Sequence, residues 1–282
     1  VETKSTNDIK IESRVSKASY IKKVSAMLSH IQRGDIYEAN FCQEFYATSK
    51  LDPLHTYLKL NSIALTPFAT FFKNGNHFLL SSSPERYLKK ERSAITSQPI
   101  KGTTRRSENS IEDQGLKSVL KSDQKERSEN IMIVDLVRND LSKIAKKGSV
   151  KVTELCEIHS FKQVHHMIST VVAEALPGLS PVDVITATFP MGSMTGAPKI
   201  SAMKIIEALE ETKRGVYSGA VGYFSPGGDF DFNVVIRSIL YNAYNSYISF
   251  SVGSAITSKS TPEKEYEECL VKAKAMRSVL EN

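Results

Sequence analysis

The sequence has little of what marks several classes of protein. No apolar run approaches the ~18 residues needed to cross a bilayer, and the opening Val1-Glu2-Thr3-Lys4-Ser5 lacks the apolar stretch of a secretory signal. No initiator Met is present either, as in a piece of a longer protein. Cysteine is scarce: Cys42, Cys156 and Cys269 are an odd number with no close pair. That argues against a disulfide framework or a Cys-x-x-Cys metal site and for a reducing cytoplasm. None of the three sits in a nucleophile elbow, so structural thiols are expected and no glutaminase is encoded. Internal repeats, low-complexity tracts and long linkers are also missing. A flexible leading segment over 1–18 followed by one domain over 19–282 is the expected organisation.

What is present suits a globular chain. Its 282 residues are enough for a large core, and 40% apolar with 24% charged residues is ordinary for such a protein. The net charge of +6 is spread among acids, with Lys89-Lys90, Arg105-Arg106 and Lys146-Lys147 as isolated pairs. A solvated surface explains this best, an anionic small molecule next, and nucleic acid last. Neither nucleic acid nor membrane is expected as a partner.

Periodicity supplies the elements. Apolar residues Ile21, Val24, Met27, Leu28 and Ile31 predict a helix over 20–32, and 262–280 reads as a closing helix with Pro262 at its start. Asn74-Gly75-Asn76 between two apolar runs predicts a hairpin. A long helix is predicted over 126–145, shorter ones over 53–60, 181–188 and 199–211, and a mobile loop with a short helix over 104–124. Strands are predicted over 36–47, 149–158 and 163–173, and a three-stranded meander over 216–224, 232–241 and 246–252. Strands cluster in two groups with helices between and after them, an α+β pattern with large antiparallel sheets.

Several groups could carry chemistry. Gln98-Pro99-Ile100-Lys101-Gly102-Thr103 follows an alternating strand; Pro99 is expected to end its pairing and Gly102 to allow a tight turn. If Lys101 is buried there its pKa falls and the free amine becomes a nucleophile or base; otherwise it is a solvated turn lysine. Glu85, after Ser83-Pro84, could act as acid beside such an amine, or be an exposed glutamate. Glu126 and Glu129, and likewise Glu265 and Glu268, lie three apart near helix starts, with Lys272 a turn beyond Glu268. Such acids either complement the helix dipole or hold Mg²⁺, which takes one or two carboxylates with water and substrate oxygens. The glycine-containing turn from Phe189 to Lys199 opens a helix and could bind an anion, though it lacks the Gly-Lys-Ser/Thr ending of a P-loop. Arg237, read as mid-strand, needs a carboxylate if buried, and Val252-Gly253-Ser254-Ala255 offers close backbone approach.

Taken together, Gly34-Asp35-Ile36-Tyr37, Ser83-Pro84-Glu85, Pro99 to Thr103, Glu129 with Val134-Asp135-Leu136 and Arg138-Asn139-Asp140, Phe189 to Lys199, and Glu265 to Lys272 resemble the chorismate-utilising enzymes. The likeness runs from about Ser19 to the C-terminus and makes 19–282 a chorismate-binding catalytic domain. It implies two large antiparallel β-sheets packed in a sandwich with helices outside. Within the family, Pro-Ile-Ala-Gly-Thr marks anthranilate synthases and Pro-Ile-Lys-Gly-Thr the aminodeoxychorismate synthases, so Lys101 points to the latter. The implied reaction is amination of chorismate at C4, with Lys101 as nucleophile and Glu85 as acid, giving 4-amino-4-deoxychorismate for 4-aminobenzoate and folate. The alternative is anthranilate synthase component I, giving 2-aminobenzoate and pyruvate. His166 matches an active-site histidine; Arg237, Tyr217, Thr195, Lys272 and the backbone of Gly253, Ser254 and Ala255 match substrate-binding positions. Mg²⁺ is implied at Glu129 and Glu268, with Glu126 and Glu265 nearby. Glu38 stands where relatives that add water place a lysine, which disfavours isochorismate synthesis. A glutamine amidotransferase partner supplying ammonia and a separate lyase are implied, as is a preceding segment with a tryptophan pocket.

Overall fold

The computed structural model describes residues 9–281. After β1 (Glu12–Ser13), helix α1 (Lys17–Gln32) leads to β2 (Glu38–Thr48), α2 (Pro53–Ala64) and the hairpin strands β3 (Phe68–Asn74) and β4 (His77–Ser83). Then come β5 (Arg86–Glu91), β6 (Ala94–Gln98), β7 (Ile100–Arg105), α3 (Ser110–Ser122), α4 (Gln124–Ser142), β8 (Lys151–Ser160) and β9 (Val164–Glu174). Helix α5 (Pro181–Thr188), a 3-10 turn at Gly192–Met194 and β10 (Gly196–Ala197) precede α6 (Lys199–Leu209). The chain ends with β11 (Ala220–Phe224), β12 (Phe230–Val234), β13 (Ser238–Asn242), β14 (Tyr247–Thr257) and α7 (Pro262–Leu280). The fold is α+β, with two antiparallel sheets and helices.

Two compact units make up the chain. The first gathers residues up to Pro84, Lys204–Tyr217 and everything from Val235; the second holds Glu85–Met203 and Ser218–Val234. Each is assembled from separated stretches, so no linker marks the division. The leading segment expected to be flexible falls partly on residues 1–8, outside the described residues. In its described part Ile11 and Val15 are buried, and Glu12 pairs with Tyr46.

In the first unit the strands run β1-β2-β14-β13-β4-β3. β14 pairs with β2 along its full length, from Tyr247 opposite Thr48 to Thr257 opposite Glu38. Phe45 and Phe250, neighbours in that register, stack at 5.3 Å. Tyr20, Val24 and Met27 of α1 are wholly buried at helical spacing, and Ser16 caps the helix by accepting from the Ser19 N–H. The predicted hairpin is present, with Asn74 opposite His77 and Gly75 at φ 57°.

The second unit's sheet runs β11-β12-β5-β6-β9-β7, with β8 on β9. Three expectations are corrected here. Pairing does not end at Pro99: its carbonyl accepts from the Ser169 N–H at 3.2 Å, and β7 resumes the ladder on β9. Proline removes only a donor, so an acceptor-side pairing survives. Lys101 therefore sits inside β7, at the register shift between Ile100 and Thr103, rather than at a strand end. The 104–124 stretch is not a loose loop but mostly α3, which Asn109 caps through the N–H groups of Ile111 and Glu112. The meander also fails: 232–241 divides into β12, in the second unit's sheet, and β13, in the first unit's, with Arg237 in the bend at φ 51°.

Candidate active site

Glu85 is the focus of the second unit. Only 6% of it is exposed, and burial pushes its carboxyl up to about 7. The Ser193 hydroxyl, the Lys101 ammonium and the Ile100 N–H pull in the other direction without restoring the usual carboxylate range. A carboxylic acid that keeps its proton close to neutrality is a ready general acid. The alternative reading of Glu85 as an exposed glutamate is thereby excluded. Lys101, half-buried in β7, is the cation that faces it.

Gly102 explains how β7 approaches α4. Its φ is 81°, and a Cβ there would come within 3.1 Å of Leu120 Cδ1 and 3.2 Å of Glu126 Oε2. Glycine thus places the Glu126 carboxylate against the residue next to Lys101. Asp123 caps α4 by accepting from the N–H groups of Lys125 and Glu126. Glu129, one turn on, is 6% exposed, with Lys125 Nζ at 3.9 Å. His166 lies opposite Thr103 in the β7–β9 register, and its Nδ1 meets the Thr103 hydroxyl at 2.8 Å, which fixes the ring's rotation. Phe161 packs edge-on against it at 5.4 Å.

The turn between α5 and α6 is buried from Met191 to Ala197. Two of its backbone N–H groups are taken within the turn: Met194 donates to the Met191 carbonyl and Thr195 to that of Gly192. The Thr195 hydroxyl likewise donates to the Met191 carbonyl at 3.1 Å. What the turn presents to Glu85 is Ser193, which nothing in the sequence distinguishes from its neighbours in the glycine-containing segment.

The first unit carries a different set. Arg237, half-buried, forms no salt bridge among the described residues. Burial holds its guanidinium below the ordinary arginine range, while Tyr217 and Glu268 act the other way. Lys272 Nζ donates to the Gly253 carbonyl at 2.9 Å and to Glu268 at 2.5 Å. Gly253 is tightly enclosed: a Cβ would lie 2.5 Å from both Asn40 Oδ1 and Cys42 Sγ, which would have to move. Cys42 Sγ in turn lies 3.7 Å from the Tyr217 hydroxyl. Ser254 turns its hydroxyl towards Tyr20, at 3.3 Å, and Ala255 is half-buried. Glu265 is 3% exposed and Glu38 1% exposed.

The structure therefore brings together Lys101, Glu85 and Ser193, with Glu126 beside Gly102, in the second unit. In the first it brings together Arg237, Tyr217 and Glu268, and Lys272 with Gly253. For Mg²⁺, the donor chemistry fits: each unit offers a pair of carboxylates, one of them buried, and this ion takes one or two such donors with water and substrate oxygens. No group of three or more His, Cys, Asp and Glu gathers at metal-binding distance among the described residues. No helix is long and apolar enough to cross a membrane among them either.

Comparison with known proteins places this geometry. The sequence matches the chorismate binding enzyme family over residues 2–278, and the chain belongs to that family. It is 44% identical over 270 residues to the probable aminodeoxychorismate synthase, chloroplastic, of Oryza sativa subsp. japonica, covering 94% of this chain and 30% of that protein. Identity is 38% over 270 residues to aminodeoxychorismate synthase component 1 of Escherichia coli (strain K12), covering 96% and 59%. Anthranilate synthase component I from Streptococcus pneumoniae TIGR4 superposes with a TM-score of 0.87 at 33% identity, covering 96% of this chain and 60% of that one. The chain thus spans less than two thirds of each of these relatives.

Proposed function

We propose that this chain catalyses the amination of chorismate at C4, giving 4-amino-4-deoxychorismate on the way to 4-aminobenzoate and folate. The observation that carries this reading is the buried Glu85 carboxyl, held near 7 and faced by Lys101. Relatives named aminodeoxychorismate synthase at 44% and 38% identity support it.

Lys101, once its ammonium has given a proton to solvent, attacks C2 of chorismate, so that a C2–N bond forms, the ring double bonds shift and the C4–O bond breaks. Glu85 gives its proton to the departing oxygen, which leaves as water; hydroxide itself is too poor a leaving group. The resulting Glu85 carboxylate takes the proton from the alkylated lysine nitrogen and is ready again. Ammonia then forms the C4–N bond, the double bonds shift back, and the C2–N bond to Lys101 breaks as Glu85 protonates the departing lysine nitrogen and then takes a proton from the new C4 ammonium. Arg237, Tyr217 and Lys272 bind the substrate's carboxylates, and His166, fixed by Thr103, lines the reacting face together with Thr195. The acidic pairs Glu126/Glu129 and Glu265/Glu268 are the residues that would hold Mg²⁺, which would supply positive charge against a substrate carboxylate. A glutamine amidotransferase delivers the ammonia, and a separate lyase eliminates pyruvate.

The test is to incubate the chain with chorismate, Mg²⁺ and an ammonium salt, then to add a 4-amino-4-deoxychorismate lyase. Formation of 4-aminobenzoate only after lyase addition is expected. A second reading, anthranilate synthesis, is favoured by the 33% identity to an anthranilate synthase component I; pyruvate and 2-aminobenzoate appearing without lyase would select it.

A further inference from the structure

The turn between α5 and α6 is fastened to one face of α4 at two points. A Cβ on Gly192 would come within 3.0 Å of Leu136 Cβ, so the turn's backbone lies directly on that side chain. Four residues along the same helix face, Asp140 Oδ2 takes Lys199 Nζ at 2.5 Å. Lys199 also donates to the Pro190 carbonyl at 2.6 Å, closing the span 190–199 on itself. The other Asp140 oxygen meets Lys143 at 3.0 Å. Only 13% of the Lys199 side chain and 6% of the Asp140 side chain are exposed, so losing either partner strands a largely buried charge.

Ser193 lies in the middle of this clamped span, and its hydroxyl donates to Glu85. A cavity of about 350 Å³, its mouth included, lies along the turn and is lined by Glu85, Ser97, Val137, Asp140, Gly192 and Ser193. The polar fastening at the ends of the turn fixes the backbone that carries this hydroxyl.

The geometry points to Lys199, through its ion pair with Asp140, as a positioning residue: it holds the 190–199 turn so that Ser193 reaches the Glu85 carboxyl. This rests on the reading of Glu85 as the acid, but its measurement needs no catalysis. The other charged or titratable groups around Glu85 are Lys101 on β7, Arg86 and Tyr87 on β5, and Asp140 on α4. Arg86 is held by Asp231 at 2.9 Å, and Tyr87 by Thr188 at 2.7 Å.

The experiment follows the Glu85 carboxyl by ¹³C NMR in glutamate-labelled protein, its signal assigned by loss in Glu85→Gln. A donated hydrogen bond favours the ionised form, so Ser193→Ala should raise the titration midpoint by about one pH unit. Lys199→Met and Asp140→Asn should each raise it too, Lys199→Arg should largely restore it, and Ser193→Ala with Lys199→Met should go no higher than Ser193→Ala alone. A pure charge effect would instead move Lys199→Met up and Asp140→Asn down, since one loses a positive and the other a negative charge. Opposite shifts, additive shifts or no shift overturn the proposal. Should Lys199→Met fail to fold, Asp140→Asn decides alone: upward supports, downward or unmoved overturns. If these titrations behave as expected while no chorismate is aminated, the proposed function fails and the positioning role stands.

Discussion

The two units handle charge in opposite ways. In the second, the candidate residues surround a carboxyl that burial keeps protonated near neutrality, with a half-buried lysine as its partner. In the first, they surround a half-buried arginine that forms no salt bridge among the described residues, and a lysine tied to a backbone carbonyl and Glu268. A neutral acid beside an amine suits bond making and breaking; a fixed cation suits holding an anion. The lesson is that substitutions in the second unit should act on kcat and those in the first on KM.

Lys101→Ala should have the largest effect, a fall in kcat of about 10³-fold or more with KM within a few-fold, measured by coupled lyase assay. A comparable loss appearing in KM instead would erase the contrast between the units. Glu85→Gln should follow, with kcat down by about 10²–10⁴-fold, and it carries a stability signature. A carboxyl raised to about 7 from 4.5 binds its proton more tightly when folded, so its contribution is full below pH 4.5 and is lost as pH rises through 7. At pH 8 the ionised, buried carboxylate is a burden of about 3 kcal/mol that the neutral amide lacks. Chemical denaturation should find Glu85→Gln more stable than the parent at pH 8, with the gap closing towards pH 4.5.

For the first unit, Arg237→Met should raise KM for chorismate about 10–100-fold with kcat little changed, the size of one lost charge-assisted hydrogen bond. Steady-state kinetics at fixed Mg²⁺ reads this directly, and a pure kcat effect would contradict it. Gly253→Ala is the smallest expected change in chemistry but a structural one. With a Cβ 2.5 Å from Asn40 Oδ1 and Cys42 Sγ and 3.0 Å from the Phe41 carbonyl, the Asn40 and Cys42 side chains must move aside, for about 1–3 kcal/mol of stability by urea titration.

Local signals in the sequence read well. Pro262 at the first turn placed α7, and Asn74-Gly75-Asn76 placed the β3–β4 hairpin. The family motifs named Lys101 and Glu85 as partners, and the second unit brings them together. What stayed hidden was set by tertiary contacts. Val234, Val235 and Ile236 read as unbroken strand, yet the chain leaves one sheet for another there, through a positive φ that Arg237 gives no hint of. The division into units leaves no mark in the sequence because each is woven from distant stretches. Ser193 and the Lys199–Asp140 pair were invisible because position 140 meets position 199 only once α4 and the α5–α6 turn have packed. Pro99 departs from its expected role for a simpler reason: proline lacks only the donor, and its carbonyl still accepts from the Ser169 N–H.

The most direct measurement is the mass of the intact protein after incubation with chorismate and Mg²⁺ in the absence of ammonia. An adduct equal to chorismate less one water is expected, mapped to Lys101 after digestion, absent in Lys101→Ala and discharged by adding ammonium. Turnover of chorismate to an aminated product with the lysine never modified would contradict the covalent role of Lys101.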